Sequence, residues 1–152
     1  MRLSTKARAA VEAALYLASH HDRGPCNAND ICRDQNISVS YLEQLFAALR
    51  QHGLVVGVRG PGGGYRLAKP PEEISVADVI TAVDDHAYVP PADNVVALYR
   101  PNPHSRYHDM WRDLSTRLYE FLSGITLAEC LARNPAQDGG GRDDSGASKA
   151  VG

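Results

Sequence analysis

The chain has 152 residues, 43% of them hydrophobic, enough for one core plus an appendage that needs a partner to cover it. Its net charge of -2 conceals an asymmetry: nine Lys and Arg stand against five Asp and Glu from Met1 to Lys69, then seven against thirteen from Pro70 to Gly152. A basic half joined to an acidic half is the pattern of a nucleic-acid reader coupled to a second module, while the absence of any apolar run near the roughly 18 residues of a membrane span argues against a membrane protein.

The start lacks a signal-peptide core, and Cys26, Cys32 and Cys130 form an odd set without zinc spacing. The expectation is a cytoplasmic protein with reduced thiols and no membrane partner.

Thr5 to Ser19 is Ala-rich, with Ala10, Val11, Ala14, Leu15 and Leu17/Ala18 at helical spacing, and predicts a first helix. Asn27 with Asp30 resembles a capping pair opening a short second helix that ends near Asn36. Ser38 or Ser40 starts a third. Ser40 with Glu43 makes a capping box ahead of Leu42, Leu45, Phe46 and Leu49, and Gly53 closes the helix. The tight connection from Asp34 to Ser38 gives these two helices helix-turn-helix spacing, in which the later helix enters the DNA major groove.

Leu54 to Val58, a turn from Arg59 to Gly64, and Tyr65 to Ala68 then read as a β-hairpin, and a hairpin directly after a helix-turn-helix is a wing. Arg59 stands at its tip. Gly60, Gly62, Gly63 and Gly64 are expected to let the backbone approach a phosphate or the minor-groove floor. They do not form a nucleotide-binding loop, because the Lys-Ser/Thr pair and following helix are missing. The Ser, His and Asp residues fall in no known catalytic order, so the chain is not expected to be an enzyme.

Pro70-Pro71 reads as a linker, after which Ser75 with Asp78 caps a helix containing Val76, Val79, Ile80 and Val83. His86 to Ser105 follow, with four prolines, little periodicity and more length than most connections have. From Tyr107 the apolar pattern resumes: Trp111, Leu114, Leu118, Phe121, Leu122 and Ile125 recur at spacings of three or four. The N-terminal domain already has its three helices and hairpin, so this amphipathic helix is expected to pair with its copy in a second chain. Thr126 with Glu129 caps a last short helix, and the tail reads as disordered.

The predicted fold class is mainly α with a small β-hairpin wing: a winged helix-turn-helix plus a long dimerisation helix. The expected division is 1–69 for the DNA-binding domain, 70–106 for linker, short helix and loop, 107–136 for dimerisation helices, and 137–152 for a disordered tail.

The stretches MRLSTKAR, ISVSYLEQLFAALRQHGLVVGVRGPGGGYRLAK, ISVADVITAVD and WRDLSTRLYEFLSGITLAE together resemble the IscR-like regulators of the Rrf2 winged-helix family, in order and at the family's spacing. The resemblance implies a homodimeric regulator, a repressor or activator in iron–sulfur homeostasis, that binds pseudo-palindromic promoter DNA. RNA polymerase is a further candidate partner. By resemblance, Ser40, Glu43 and Gln44 match the base-reading positions and Arg59 the wing arginine placed in the minor groove. Gln pairs with adenine, Glu accepts from the cytosine amino group, and Arg is drawn to a narrow minor groove, so the chemistry agrees. Tyr41, Arg50, Gly60, Arg2 and Lys6 are candidates for backbone contacts that position without specifying.

The resemblance also implies a two-iron cluster held by three cysteines and one histidine ahead of the dimerisation helix. Here that segment, DDHAYVPPADNVVALYRPNPHSRYHDMW, has no cysteine; of the ligand set only His108 remains. Iron–sulfur clusters need thiolate donors, so no 2Fe-2S cofactor is expected and the protein is read as acting without it. The alternative is a regulator sensing a metal or small molecule through the His86–His108 loop. His104 and His108 would then share a helix face if the helix began early, with Asp93, Tyr99, Tyr107 and Asp109 as oxygen donors. Val95 to Tyr99 instead place an apolar patch in that loop, consistent with packing that needs no cofactor.

Overall fold

A row of alanines starts the fold. Ser4 caps the first helix through its Oγ, which accepts from the Ala7 N–H at 3.1 Å, and Ala7, Ala10, Ala13, Ala14, Leu17 and Ala18 are buried along one side. Small side chains there let neighbours approach closely, and this helix touches nearly every other element of the body. In the computed structural model, which describes residues 4–84, 102 and 104–134, the elements run α1 (Thr5–Ser19), α2 (Ala28–Gln35), α3 (Val39–Gln51), β1 (Val55–Val58), β2 (Gly64–Leu67), α4 (Val76–Val83), α5 (His108–Ser123) and α6 (Leu127–Arg133). The fold is mainly helical with one antiparallel hairpin.

The Asn27–Asp30 pair does not make a capping box. Asn27 Oδ1 accepts instead from the Asn29 N–H at 2.8 Å, and α2 ends at Asn36, whose φ of 52° a short polar side chain tolerates. Beyond α3, the Leu54 N–H reaches Leu49 O at 2.9 Å and the Gly53 N–H reaches Arg50 O at 3.0 Å, the paired closure that ends a helix at glycine.

The hairpin pairs Val55 with Leu67, Val56 with Arg66, Gly57 with Tyr65 and Val58 with Gly64. A third piece of backbone joins it. Cys26 and Tyr65 exchange two hydrogen bonds of 2.8 Å, tying the wing to the connection between α1 and α2. Gly64 makes that approach possible, since a Cβ there would strike the Cys26 carbonyl.

Two sequence expectations need correction. Pro70-Pro71 is not a linker: Pro71 is buried, and Ile74, Val76, Val79, Ile80 and Val83 share one core with Leu42, Leu45 and Phe46. The DNA-binding body therefore continues past Lys69 to include α4. Helix α6, which the sequence pattern groups with the dimerisation segment, also packs on the chain's own body. Ser75 and Thr126, the caps of α4 and α6, lie side by side, with Val76 N–H to Ile125 O and Leu127 N–H to Ile74 O both at 2.9 Å. Both expected capping boxes form, Ser75 with Asp78 and Thr126 with Glu129.

The predicted apolar stripe on α5 splits. Leu122 and Ile125 pack on the chain's own core, and Ser115 is buried where α5 crosses α4. Trp111, Leu114 and Phe121 point outward, 39%, 43% and 65% exposed, joined by Tyr107 at the cap and by Met110, which lies outside the predicted stripe. Leu118 lies half-buried between the two sets. Arg2, His86, Asp93, Val95 to Tyr99 and the tail from Gln137 lie outside the described residues.

If α6 belongs to the body, Leu127→Ala should lower stability by about 2–5 kcal/mol in denaturant unfolding, the range for emptying a buried leucine site. A loss below about 1 kcal/mol would separate α6 from the core.

Candidate nucleic-acid interface

The reading face of α3 is set by what its other face buries. Leu42, Leu45, Phe46 and Leu49 are all 0% exposed, which turns Ser40, Glu43, Gln44, Ala47 and Arg50 to solvent. The helix begins at Ser38, not Ser40: Ser38 Oγ accepts from the Tyr41 N–H at 3.1 Å. Ser40 sits within the first turn and forms no capping box with Glu43. Either serine fits the capping composition, and the chain turning out of α2 at Asn36 decides between them. The correction leaves the Ser40 hydroxyl and the Glu43 carboxylate without a side-chain hydrogen bond among the described residues, and the Gln44 amide has none there either. Tyr41 lies half-buried on the core at the edge of this face.

The wing stands beside α3. Phe46 meets Tyr65 edge to face, ring centroids 4.7 Å apart and planes at 63°, linking the helix to β2. Arg50 leans along β1, its Cζ 4.0 Å from where a Cβ on Gly57 would stand. Arg59, at the start of the turn, is exposed. The four glycines divide in role. Gly60 and Gly62 have φ of 98° and 72° with open space around them, leaving backbone accessible at the tip. Gly63 and Gly64 are required internally, because a Cβ would run into the carbonyls of Val58 and Gly60 in the first case and of Cys26 in the second.

Charge on this side is unspent. Arg8 and Arg33 are engaged by Glu12 at 3.1 Å and Asp30 at 3.6 Å, whereas Arg50, Arg59, Arg66 and Lys69 form no ion pair among the described residues. Lys6, on the first turn of α1, is half-buried. Arg50 on α3 and Arg59 at the wing turn thus leave two exposed cations beside an uncharged-to-acidic helix face.

The expected metal donors are not brought together. α5 starts at His108 with Tyr107 as its cap, so the exposed His104 lies in the preceding turn and not on a shared helix face. Among the described residues no three His, Cys, Asp or Glu side chains form a metal-sized group. His108 is half-buried, and its Nδ1 is buried without a hydrogen-bond partner there. Cys26 and Cys32 belong to the winged-helix core, and Cys130 packs against it from α6. Burial pushes the Cys26 thiol up, Asp30 adding to it, and burial with Glu43 does the same for Cys32.

Residues 3–133 match a family described as "Rrf2: Iron-dependent Transcriptional regulator". The chain belongs to the Rrf2 family. A putative HTH-type transcriptional regulator of Azotobacter vinelandii is 49% identical over 91% of this chain and 84% of its own length. The HTH-type transcriptional regulator IscR of Aliivibrio salmonicida is 46% identical over 90% and 81%. Among solved structures, T. potens IscR superposes with a TM-score of 0.70 at 35% identity, covering 88% of each chain. CymR, titled the global cysteine regulator of B. subtilis, gives 0.71 at 27% identity over 88% and 98%. This Rrf2 protein is accordingly an IscR-like, DNA-binding transcription regulator with a winged-helix fold.

The cap assignment is open to a paired measurement. Ser38→Ala should cost about 1 kcal/mol of stability as a lost helix cap. Ser40→Ala should stay within about 0.5 kcal/mol of the parent, as an exposed surface change does. The reverse order would restore Ser40 as the cap.

Proposed function

We propose that this Rrf2 regulator reads its operator directly through Ser40, Glu43 and Gln44, with Arg59 entering the minor groove, and does so without an iron–sulfur cluster. The observation that supports the reading is the outward stripe on α3, free of internal hydrogen bonds and flanked by the wing arginine. Gln44 offers a donor and an acceptor to adenine, and Glu43 an acceptor to the cytosine amino group. Arg59 meets the negative potential of a narrow minor groove. Arg50, Tyr41, Lys6, Arg2 and the open backbone at Gly60 contact phosphates and fix register.

Two copies pair through the outer face of α5, where Tyr107, Met110, Trp111, Leu114 and Phe121 form an apolar surface. The homodimer sets two α3 helices against two half-sites. Among the described residues no helix is long and apolar enough to cross a membrane, in keeping with a cytoplasmic site of action. The role is regulatory rather than enzymatic, with RNA polymerase as a downstream partner at the promoter.

The family description names iron, and a 2Fe-2S cluster is what the IscR likeness implies. The donors of this chain do not fit it. No cysteine lies between Asp84 and His108, and the three thiols present sit in or against the winged-helix core. His108 alone supplies one imidazole. Its Nδ1 is buried without a hydrogen-bond partner among the described residues, and a single imidazole cannot replace three thiolates. The regulator therefore stays in one DNA-binding form irrespective of cluster supply.

Site selection with purified protein at fixed salt, with and without iron and sulfide, tests all three parts. The selected motif should be the same in both arms, and anaerobic reconstitution should give no stoichiometric iron–sulfur absorption; a cluster spectrum with a shifted motif would refute the cluster-free reading. Gln44→Ala and Arg59→Ala should each weaken operator binding by about 5- to 150-fold, the worth of one specific contact. Phe121→Glu should shift sedimentation from dimer to monomer, and a dimer that persists unchanged would place the interface elsewhere.

A further inference from the structure

Among the described residues the exposed large apolar side chains are Val39, Tyr107, Met110, Trp111, Leu114 and Phe121. Five of the six lie on α5 or cap it. Val39 is the exception: it stands on the winged-helix body as the first residue of α3, 39% exposed and outside the packed core. The base-reading assignment explains the polar residues of that helix but gives this one nothing to do.

Its position is informative. Residues at the start of a recognition helix are those that reach base edges. Val39 and Glu43 are four apart and lie on the same side of α3, and both are exposed. Ser38 holds the first turn in place through its bond to the Tyr41 N–H, so Val39 is carried on an ordered turn and its branched side chain has few rotamers to lose on contact. The major groove offers one apolar feature to such a group, the 5-methyl of thymine.

We infer that Val39 reads a thymine methyl in each half-site, an inference that rests on α3 being the base-reading helix. Four residues of helix advance about 6 Å, so this thymine lies within about two base pairs of the cytosine whose amino group meets Glu43. The contact gives the operator an apolar requirement next to a polar one. A uracil at the same step keeps the groove's shape and its O4 acceptor and loses only the methyl, whereas a cytosine also exchanges that acceptor for an amino donor.

The test uses the full-length protein and the operator it selects, resynthesised with each thymine in turn replaced by deoxyuridine, which deletes only the methyl. One position per half-site, within about two base pairs of the Glu43-dependent cytosine, should lose about three- to fivefold in affinity, the worth of one buried methyl group. Val39→Ala should bind the natural operator correspondingly more weakly and be indifferent to deoxyuridine at that position. Because Val39 lies outside the core, this variant should melt with the parent. A flat scan on the parent protein overturns the inference whether or not the variant folds, and Val39→Thr, of the same shape, is the second variant that assigns a positive position to this side chain.

A selected motif with a flat deoxyuridine scan overturns the role of Val39 and leaves the base-reading assignment standing. So does a sensitivity that persists unchanged in Val39→Ala. A chain that selects no motif, or whose motif is unaltered by Glu43→Ala and Gln44→Ala, overturns the assignment and this inference with it.

Discussion

The rotational setting of α3 is the constraint on which the rest depends. Four side chains at three- and four-residue spacing, Leu42, Leu45, Phe46 and Leu49, are wholly removed from water. Each contributes about 1.5–3 kcal/mol relative to exposure, and turning the helix by one residue, about 100°, would bring polar Glu43 in one sense or Gln44 in the other toward the core while exposing leucine. No surface contact is large enough to compete with that. The face presented to a ligand is therefore chosen by burial, and base-reading chemistry has only to occupy the positions the core leaves over. Ser40, Glu43 and Gln44, the residues proposed to read bases, stand at those positions, and the Ser38 cap spares two of them from local hydrogen bonding.

A second constraint fixes the wing relative to that helix. Phe46 belongs to the buried face of α3 and meets Tyr65 of β2, while Tyr65 exchanges both backbone hydrogen bonds with Cys26. The hairpin is thus held from two sides, and Arg59 sits at the end of a braced element, not a free loop. This also accounts for residues that invite a chemical reading. The Cys26 backbone forms the bridge beside Gly64, and the side chains of Cys26 and Cys32 are buried in the core. Their raised thiol pKa values follow from that burial.

Much of this was legible in the sequence because local rules and tertiary packing agree. The Thr5–Ser19 helix, both later capping boxes, the hairpin and the inner face of α3 all carry their own periodicity or cap residues. Most of the failures depend on a partner distant in sequence. Pro70-Pro71 has the composition of a linker, and Pro71 is buried in the turn on which α6 packs. The α5 stripe looks continuous because spacing cannot say that Leu122 and Ile125 face the body while Met110 faces away. Ser38 and Ser40 are interchangeable by composition, and the direction of the incoming chain separates them. The candidate site was more legible than the domain boundary: an exposed reading face is the complement of an apolar pattern, whereas a boundary depends on contacts between segments.

The packing order connects the two proposed tasks of the molecule. The inner side of α5 crosses α4, α4 packs on both α1 and α3, and the paired caps at Ser75 and Thr126 lock α4 to α6. In a dimer joined through the outer side of α5, the separation of the two reading helices is then set by side-chain packing through α4, with no cofactor in the path. In a cluster-bearing relative of this architecture, a loop ahead of α5 has ligands to organise; here that stretch carries no cysteine, and His108 enters α5 directly with its Nδ1 unpaired. On the cluster-free reading proposed above, the half-site spacing of such a dimer is a property of apolar packing. Whatever adjusts its occupancy of DNA must act on the dimer, on the amount of protein or on the salt-dependent phosphate contacts around the reading face.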